Sequence, residues 1–186
     1  MRFSNTKQRM PLVVITAILL FTGFMGLKTL MQYSFLFSLD DVTDSSKYQT
    51  ILKHVGYPDN KLFSHFPKKI PIGKTNIGFL YRPQLFQGSM DMQLRFKPEP
   101  EEIQSILEKY TPKAIEIGKG NDLGENSKYL LTFYDKDSQM FTKLSNDFVV
   151  IILGSEGAIG GHGFNYGIAV NKTTPEVIYW ARKWDG

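Results

Sequence analysis

From Met10 to Leu27 the chain reads MPLVVITAILLFTGFMGL, 18 residues with no charge and no polar face. As a helix this run spans roughly 27 Å, close to the hydrocarbon thickness of a bilayer. A buried helix of a soluble protein keeps one polar side, so the run predicts a transmembrane anchor over 10–28. A cleavable signal has a shorter apolar region that ends at a small-x-small site. Gly26, with Phe24 two places before it, and Ser38, with Leu36, make no such site. The uncleaved anchor is the leading expectation, and secretion after cleavage is the alternative. Tyr33, Phe35 and Phe37 follow the run and suit the headgroup zone, which favours aromatic rings.

Past a linker at 29–44, made polar by Asp40, Asp41 and Asp44, the periodicity over 45–186 is that of one globular domain. Tyr48, Ile51, Leu52 and Val55 give a helical stripe over 46–55, with Ser45 or Asp44 as N-cap and Gly56 as the stop. Residues 57–75 carry Pro58, Pro67, Pro71 and Gly73 and predict an irregular connection. Ile77, Phe79 and Tyr81 mark a strand. Met90, Met92, Leu94 and Phe96 alternate with Asp91, Gln93, Arg95 and Lys97, which predicts a half-buried strand with one wet face. A second helix begins at Pro100 behind Glu99, turns Ile103, Ile106, Leu107 and Tyr110 inward, and ends by Pro112. A Gly- and Asn-rich loop is expected at 118–127.

The last third is nearly all strand. Tyr129–Tyr134 and Met140–Leu144 flank a turn at 135–138, and Phe164–Val170 and Val177–Arg182 form a hairpin around 171–175. Between them Phe148–Leu153 (FVVIIL) is apolar on both faces, as in an interior strand covered on each side. Strands come in runs and most connections are too short for parallel crossovers. The predicted class is α+β: a mainly antiparallel sheet of five to seven strands with two helices on one face, behind the N-terminal transmembrane helix.

Charge sets the topology and removes one class of function. The chain has 22 Lys/Arg against 18 Asp/Glu, yet its first 38 residues hold four Lys/Arg and no acid. Arg2, Lys7 and Arg9 precede the anchor and keep the nine-residue tail in the cytoplasm, which sends the domain across the membrane. The remainder is formally neutral, so no electrostatic footprint for nucleic acid is left. Lys68 and Lys69 read as a solvated pair. Cysteine is absent, which excludes disulfides, thiol catalysis and thiolate metal sites.

Candidate chemistry concentrates in GSEGAIGGHG, Gly154 to Gly163, read as a long loop between strands. Its glycines, among them Gly157, Gly160 and Gly161, would let backbone amides approach a ligand. It lacks the lysine, spacing and following helix of a phosphate loop. Ser155, Glu156 and His162 supply the side-chain types of a hydrolytic site, without a G-x-S-x-G elbow. His65, in SHFP, is a second ligand-binding candidate, and 65–71 is the next stretch to inspect after the loop. His65, His162 and a carboxylate are the available elements of a metal site, but no two histidines share a helix face, and no metal or cofactor is expected. Trp180 and Trp184 are either core or a stacking surface for a sugar or peptide. Asn171-Lys172-Thr173 matches a glycosylation sequon in an expected exposed turn.

The segments HFPKKIP (His65–Pro71), LFQGSMDMQLRF (Leu85–Phe96) and GIAVNKTTPEVIYWARKW (Gly167–Trp184) resemble uncharacterised bacterial proteins that place an exported domain behind an anchor or lipoprotein signal. The resemblance implies an extracytoplasmic setting in a bacterial envelope and carries no activity. Three functions follow as expectations. The first is a membrane-anchored domain that binds a protein or small-molecule partner. The second is a hydrolase using Ser155 and His162. The third is a structural subunit of an envelope complex.

Overall fold

Asp44 caps the first helical turn, as its sequence position suggests. Its carboxylate accepts the amide of Ser46 at 2.9 Å and caps a single 3-10 turn, Ser45–Lys47, that leads into α1, Tyr48–His54. Gly56, at φ +87°, ends the segment in the left-handed conformation that a side chain would resist. Tyr48, Ile51 and Leu52 from the predicted stripe are buried. The computed structural model describes residues 40–84, 88–125, 129, 131–157 and 161–185; the expected anchor over 10–28 lies outside them. No helix among the described residues is long and apolar enough to cross a membrane.

The second helix, α2 (Pro100–Tyr110), begins where Glu99 and Glu102 satisfy each other's backbone amides in a capping box, with proline in the first turn. Six strands form one sheet: β1 (Thr75–Arg82), β2 (Ser89–Lys97), β3 (Glu116–Lys119), β6 (Phe148–Gly157), β7 (Gly163–Asn171) and β8 (Glu176–Trp184). Their order is β1-β2-β8-β7-β6-β3, and every pairing is antiparallel. The expected hairpin at 129–144 makes a separate ribbon, β4 (Phe133–Asp135) with β5 (Met140–Thr142). The α+β class and the antiparallel sheet match the pattern of the sequence. At the N-terminal end, Val42 bridges to Tyr81 and Asp41 pairs with Arg82, so the last residues before α1 are fastened to β1.

Register assigns the two faces. Phe79, Leu94, Tyr179, Ile168 and Ile151 lie opposite one another across five strands and form the row beneath the helices. Tyr48 of α1 meets Phe79 edge-on at 5.6 Å, and Tyr110 of α2 meets Tyr179 at 6.4 Å, so both helices cover this one face. The other face carries Val150, Ile152, Ala169, Ile178 and Trp180, covered by Leu123, Leu131, Phe133 and Leu144 from the 120–148 segment. Covering on both sides accounts for the doubly apolar β6, which has neighbours on both edges.

That second cover overturns the wet face expected for β2. Asp91 is only 2% exposed and Gln93 5%. Alternation of polar and apolar residues identifies a strand, but it does not distinguish water from a polar protein surface. Here the partner is the β4 segment. Gln93 accepts the amide of Tyr134 at 2.8 Å and donates to Asp91 at 3.1 Å. Arg95 donates to the Tyr134 carbonyl at 3.2 Å and pairs with Glu176 at 2.9 Å. Arg182, opposite Asp91 in the register, forms a buried two-pronged pair with that carboxylate and donates to the carbonyl of Thr132 at 3.0 Å.

Two smaller expectations are also corrected, and the core reading of the tryptophans holds. The loop at 118–127 is instead β3 followed by a short helix, α3 (Gly120–Glu125). β3 is only four residues long and runs straight into Gly120, so the brief Ile115–Ile117 alternation does not separate it from the loop expected there. The tryptophans are core rather than a stacking surface: Trp180 is 3% exposed and lies over Gly167, where a Cβ would come within 2.6 Å of the indole. Asn171 of the sequon is buried, and its side-chain oxygen holds the amides of Thr173 and Thr174, both at 2.9 Å.

The buried pair gives the first test. Replacing Arg182 by Met leaves the Asp91 carboxylate buried without its counter-charge, an arrangement that costs about 3–5 kcal/mol. We expect urea denaturation of Arg182→Met to show a loss of that size, and Asp91→Leu/Arg182→Met to recover most of it. A single variant as stable as the parent would refute the assignment.

Candidate functional site

The glycine-rich stretch is shorter as a loop than the sequence suggests, because β6 continues to Gly157 and β7 starts at Gly163. Backbone pairing extends through the glycines: Gly154 faces Tyr166, Ser155 faces Asn165, Glu156 faces Phe164 and Gly157 faces Gly163. Gly154 lies against the Tyr166 ring, and Gly157, at φ +85°, stands where a Cβ would strike the His162 carbonyl. These glycines serve the close hairpin. Gly161 sits in the bend leading into β7, and Gly160 lies outside the described residues.

Ser155, Glu156 and His162 are not brought together. Ser155 belongs to a row with Asn165, Arg182 and Asp91, while Glu156 points to the opposite face and is exposed. His162 lies just past the terminal Gly157–Gly163 pair. Its ring is 77% exposed, and Nδ1 meets Asp185 at 3.1 Å. A relay needs serine, imidazole and acid in hydrogen-bond sequence. Here the imidazole is bonded to Asp185, at the end of β8. Bonds from Gln84 and then His162 hold the Asp185 carboxyl below the usual carboxylate range. Among the described residues no group of three His, Asp or Glu side chains could hold a metal ion.

His65 is the candidate that lines a cavity. The loop after α1 carries it beneath α2, where Tyr110 Oη donates to the His65 carbonyl at 2.9 Å. Its ring is buried among Phe66, Tyr166 and Tyr179. Nε2 lies 3.0 Å from the carbonyl of Trp180, and a carbonyl only accepts, so Nε2 carries the proton. Nδ1 is left as an acceptor with no partner. Burial pushes the imidazole pKa down to about 3, with only a partial upward pull from the carbonyls of Trp180 and Gly167.

A cleft of about 420 Å³ opens beside this ring. Lys61, Ser64 and His65 supply one wall, Lys109, Tyr110 and Lys113 the second, and Leu153 and Tyr166 the sheet side. No acidic residue lines it. The Lys109 and Lys113 ammonium groups stand 4.8 and 5.8 Å from the centre of the same Tyr110 ring. Compared with family models, curated proteins and solved structures, the chain matches none. Of the cleft residues, sequence reasoning found only His65. Lys109 in the last turn of α2 and Lys113 in the 3-10 turn after it, four apart, were the one local signal; Lys61 and Tyr166 come from distant segments.

The His65 environment predicts an acid-sensitive fold. A histidine held neutral in the folded chain is protonated in the unfolded chain once the pH drops below its ordinary value of about 6.5. Stability is full above that value and falls as pH decreases towards about 3. The loss from this group reaches about 3 kcal/mol by about pH 4. We expect His65→Gln to flatten the stability–pH profile by roughly one proton over that window. NMR of the parent should show the His65 ring still neutral at about pH 5. A ring titrating near its ordinary value would contradict the reading.

Proposed function

We propose that this chain is a single-pass membrane protein of a bacterial envelope, N-terminus inside, that presents a non-catalytic α+β binding domain on the far side. The topology draws on the basic head, the uncharged 18-residue run and the neutral remainder. The binding reading draws on one observation above the others. The side chains suited to hydrolysis face different ways, while a separate cleft gathers a buried histidine and three lysines. Sites of turnover combine acid, base and nucleophile around one reacting atom. The described residues offer no such set in a cavity. A subunit of an envelope complex is a second reading, favoured by exposed Ile115 and Ile117 at the edge strand β3.

Two measurements test the proposal on the full chain. Protease added outside osmotically opened cells should remove the domain, and alkaline extraction should leave the intact chain in the membrane. A fluorophosphonate probe should leave Ser155 unlabelled. Complete shelter from protease would reverse the topology, and labelling lost in Ser155→Ala would restore a hydrolase.

A further inference from the structure

We propose that β3 is a self-association edge, where two copies of this chain pair strand to strand about a two-fold axis and one sheet continues into the other. The pairing draws on the fold alone and on neither the cleft nor the anchor. β1 and β3 are the two end strands of the sheet, and the chain treats them differently. At β1, Val42 exchanges both backbone bonds with Tyr81 at 2.8 Å, and Asp41 pairs with Arg82. The register also breaks between Thr75 and Gly78, where Asn76 has φ +55°. Such bridges and irregularities blunt an edge against other chains. At β3, Ile117, Gly118 and Lys119 have no backbone partner on the outer side among the described residues. The apolar row beneath the helices outruns its cover at the same place. Ile117 lies opposite Ile151 and extends the row that begins at Phe79. Ile151 is sealed from solvent, whereas Ile117 is 46% exposed and Ile115, on the same face, 58%. The other exposed large apolar side chains among the described residues, Ile72 and Met140, lie singly in a turn and on β5.

The occupant is a second copy because β3 complements itself. A two-fold axis normal to the sheet keeps each face on its own side, so directly opposite residues come from the same face. Three antiparallel registers then centre on β3. Centred on Glu116, two glutamates stand directly opposite, which is destabilising. Centred on Gly118, glycine meets glycine, Ile117 meets Lys119, and Glu116 meets Gly120, which already belongs to α3. Centred on Ile117, no like charges meet. Ile117 then packs on its own copy, and Ile115 lies opposite the aliphatic stem of Lys119. Glu116, which accepts the Tyr129 hydroxyl at 2.6 Å, lies opposite Gly118, where no side chain contests the space. The row Ile151–Ile117 runs on into the partner's Ile117 and Ile151, and both uncovered isoleucines gain an apolar neighbour. Past residue 38 the chain carries equal numbers of acids and bases, so net charge does not hold two copies apart.

The test uses the full chain in an uncharged detergent. The chain has no cysteine, so an introduced thiol is the only one present. Directly opposite residues of an antiparallel pair have Cα atoms about 4.5–5.5 Å apart, within the reach of a disulfide. Mild oxidation of Ile117→Cys should therefore give a covalent dimer. Ile115→Cys or Lys119→Cys alone should not, because each lies roughly 14 Å along the ladder from its own copy. A mixture of those two variants should cross-link. Met140→Cys, exposed on β5, sets the level of chance collision. Ile117→Lys removes the apolar contact and places two ammonium groups face to face. Sedimentation should show its association weakened by about tenfold or more. Ile72→Lys makes the same charge change in an exposed turn and should leave association unchanged. Thermal melts of the lysine variants check that each folds. An Ile117→Cys yield no higher than that of Met140→Cys overturns the pairing, as does undiminished association of Ile117→Lys. Ile115→Cys cross-linking alone as well as in the mixture overturns the register. None of these positions lines the cleft, so such failures would leave the binding reading standing.

Discussion

Arg182 sits near the end of β8 with its guanidinium on the side of the sheet away from the helices. There it meets Asp91 of the neighbouring strand and the carbonyl of Thr132 in the covering segment. Burying both charges is expensive, and their attraction offsets that cost only when the remaining donors and acceptors are satisfied. The structure meets this condition by continuing the network. Gln93 joins Asp91 to the amide of Tyr134, and Arg95 takes the Tyr134 carbonyl. One ladder of polar side chains on β2 therefore holds the β4 segment on the sheet. The apolar cover, with Phe133 edge-on to Trp180 at 5.3 Å, lies along the same segment. Burial raises the Asp91 carboxyl, while Arg182 and Gln93 pull it back down.

The helical face is built on a different principle. Its rows are aromatic and aliphatic, and its polar contacts tie side chains mainly to backbone carbonyls. Tyr110 holds the His65 carbonyl, and Asn60 caps the turn after α1 by donating to the Val55 carbonyl at 2.8 Å. These contacts fix an otherwise irregular segment, 57–74, under the end of α2. The cleft exists because that segment, α2 and the bulge in β6 between Ile152 and Gly154 meet without filling the space between them.

The glycines of 154–163 show how one composition signal supports two readings. Glycine lets a backbone approach a ligand, and it equally lets two strands and an aromatic ring approach each other. Here Tyr166 occupies the space beside Gly154, and Trp184 the space beside Gly163. Ser155 and Glu156 then fall on opposite faces, simply because successive residues of a strand alternate. Adjacency in sequence thus separates these two side chains instead of joining them.

Much of the domain was legible from period and punctuation alone. The 3.6-residue stripe of Tyr48, Ile51 and Leu52, the Glu99–Pro100 start of α2 and the alternating strands are local patterns, and local patterns are written contiguously in the chain. The Asp44 cap and the Gly56 stop belong to the same kind. What escaped were meetings between distant segments. The partner of Asp91 lies 91 residues away, that of Gln93 lies 41 away, and β3 pairs with only a two-residue apolar signal. The cleft joins Lys61, Lys109 and Tyr166, whose separations follow no period. A sequence states which face of an element is polar. Only the folded chain decides whether water, another strand or an unpaired cluster of lysines stands opposite that face, because this depends on how the backbone returns to the same place.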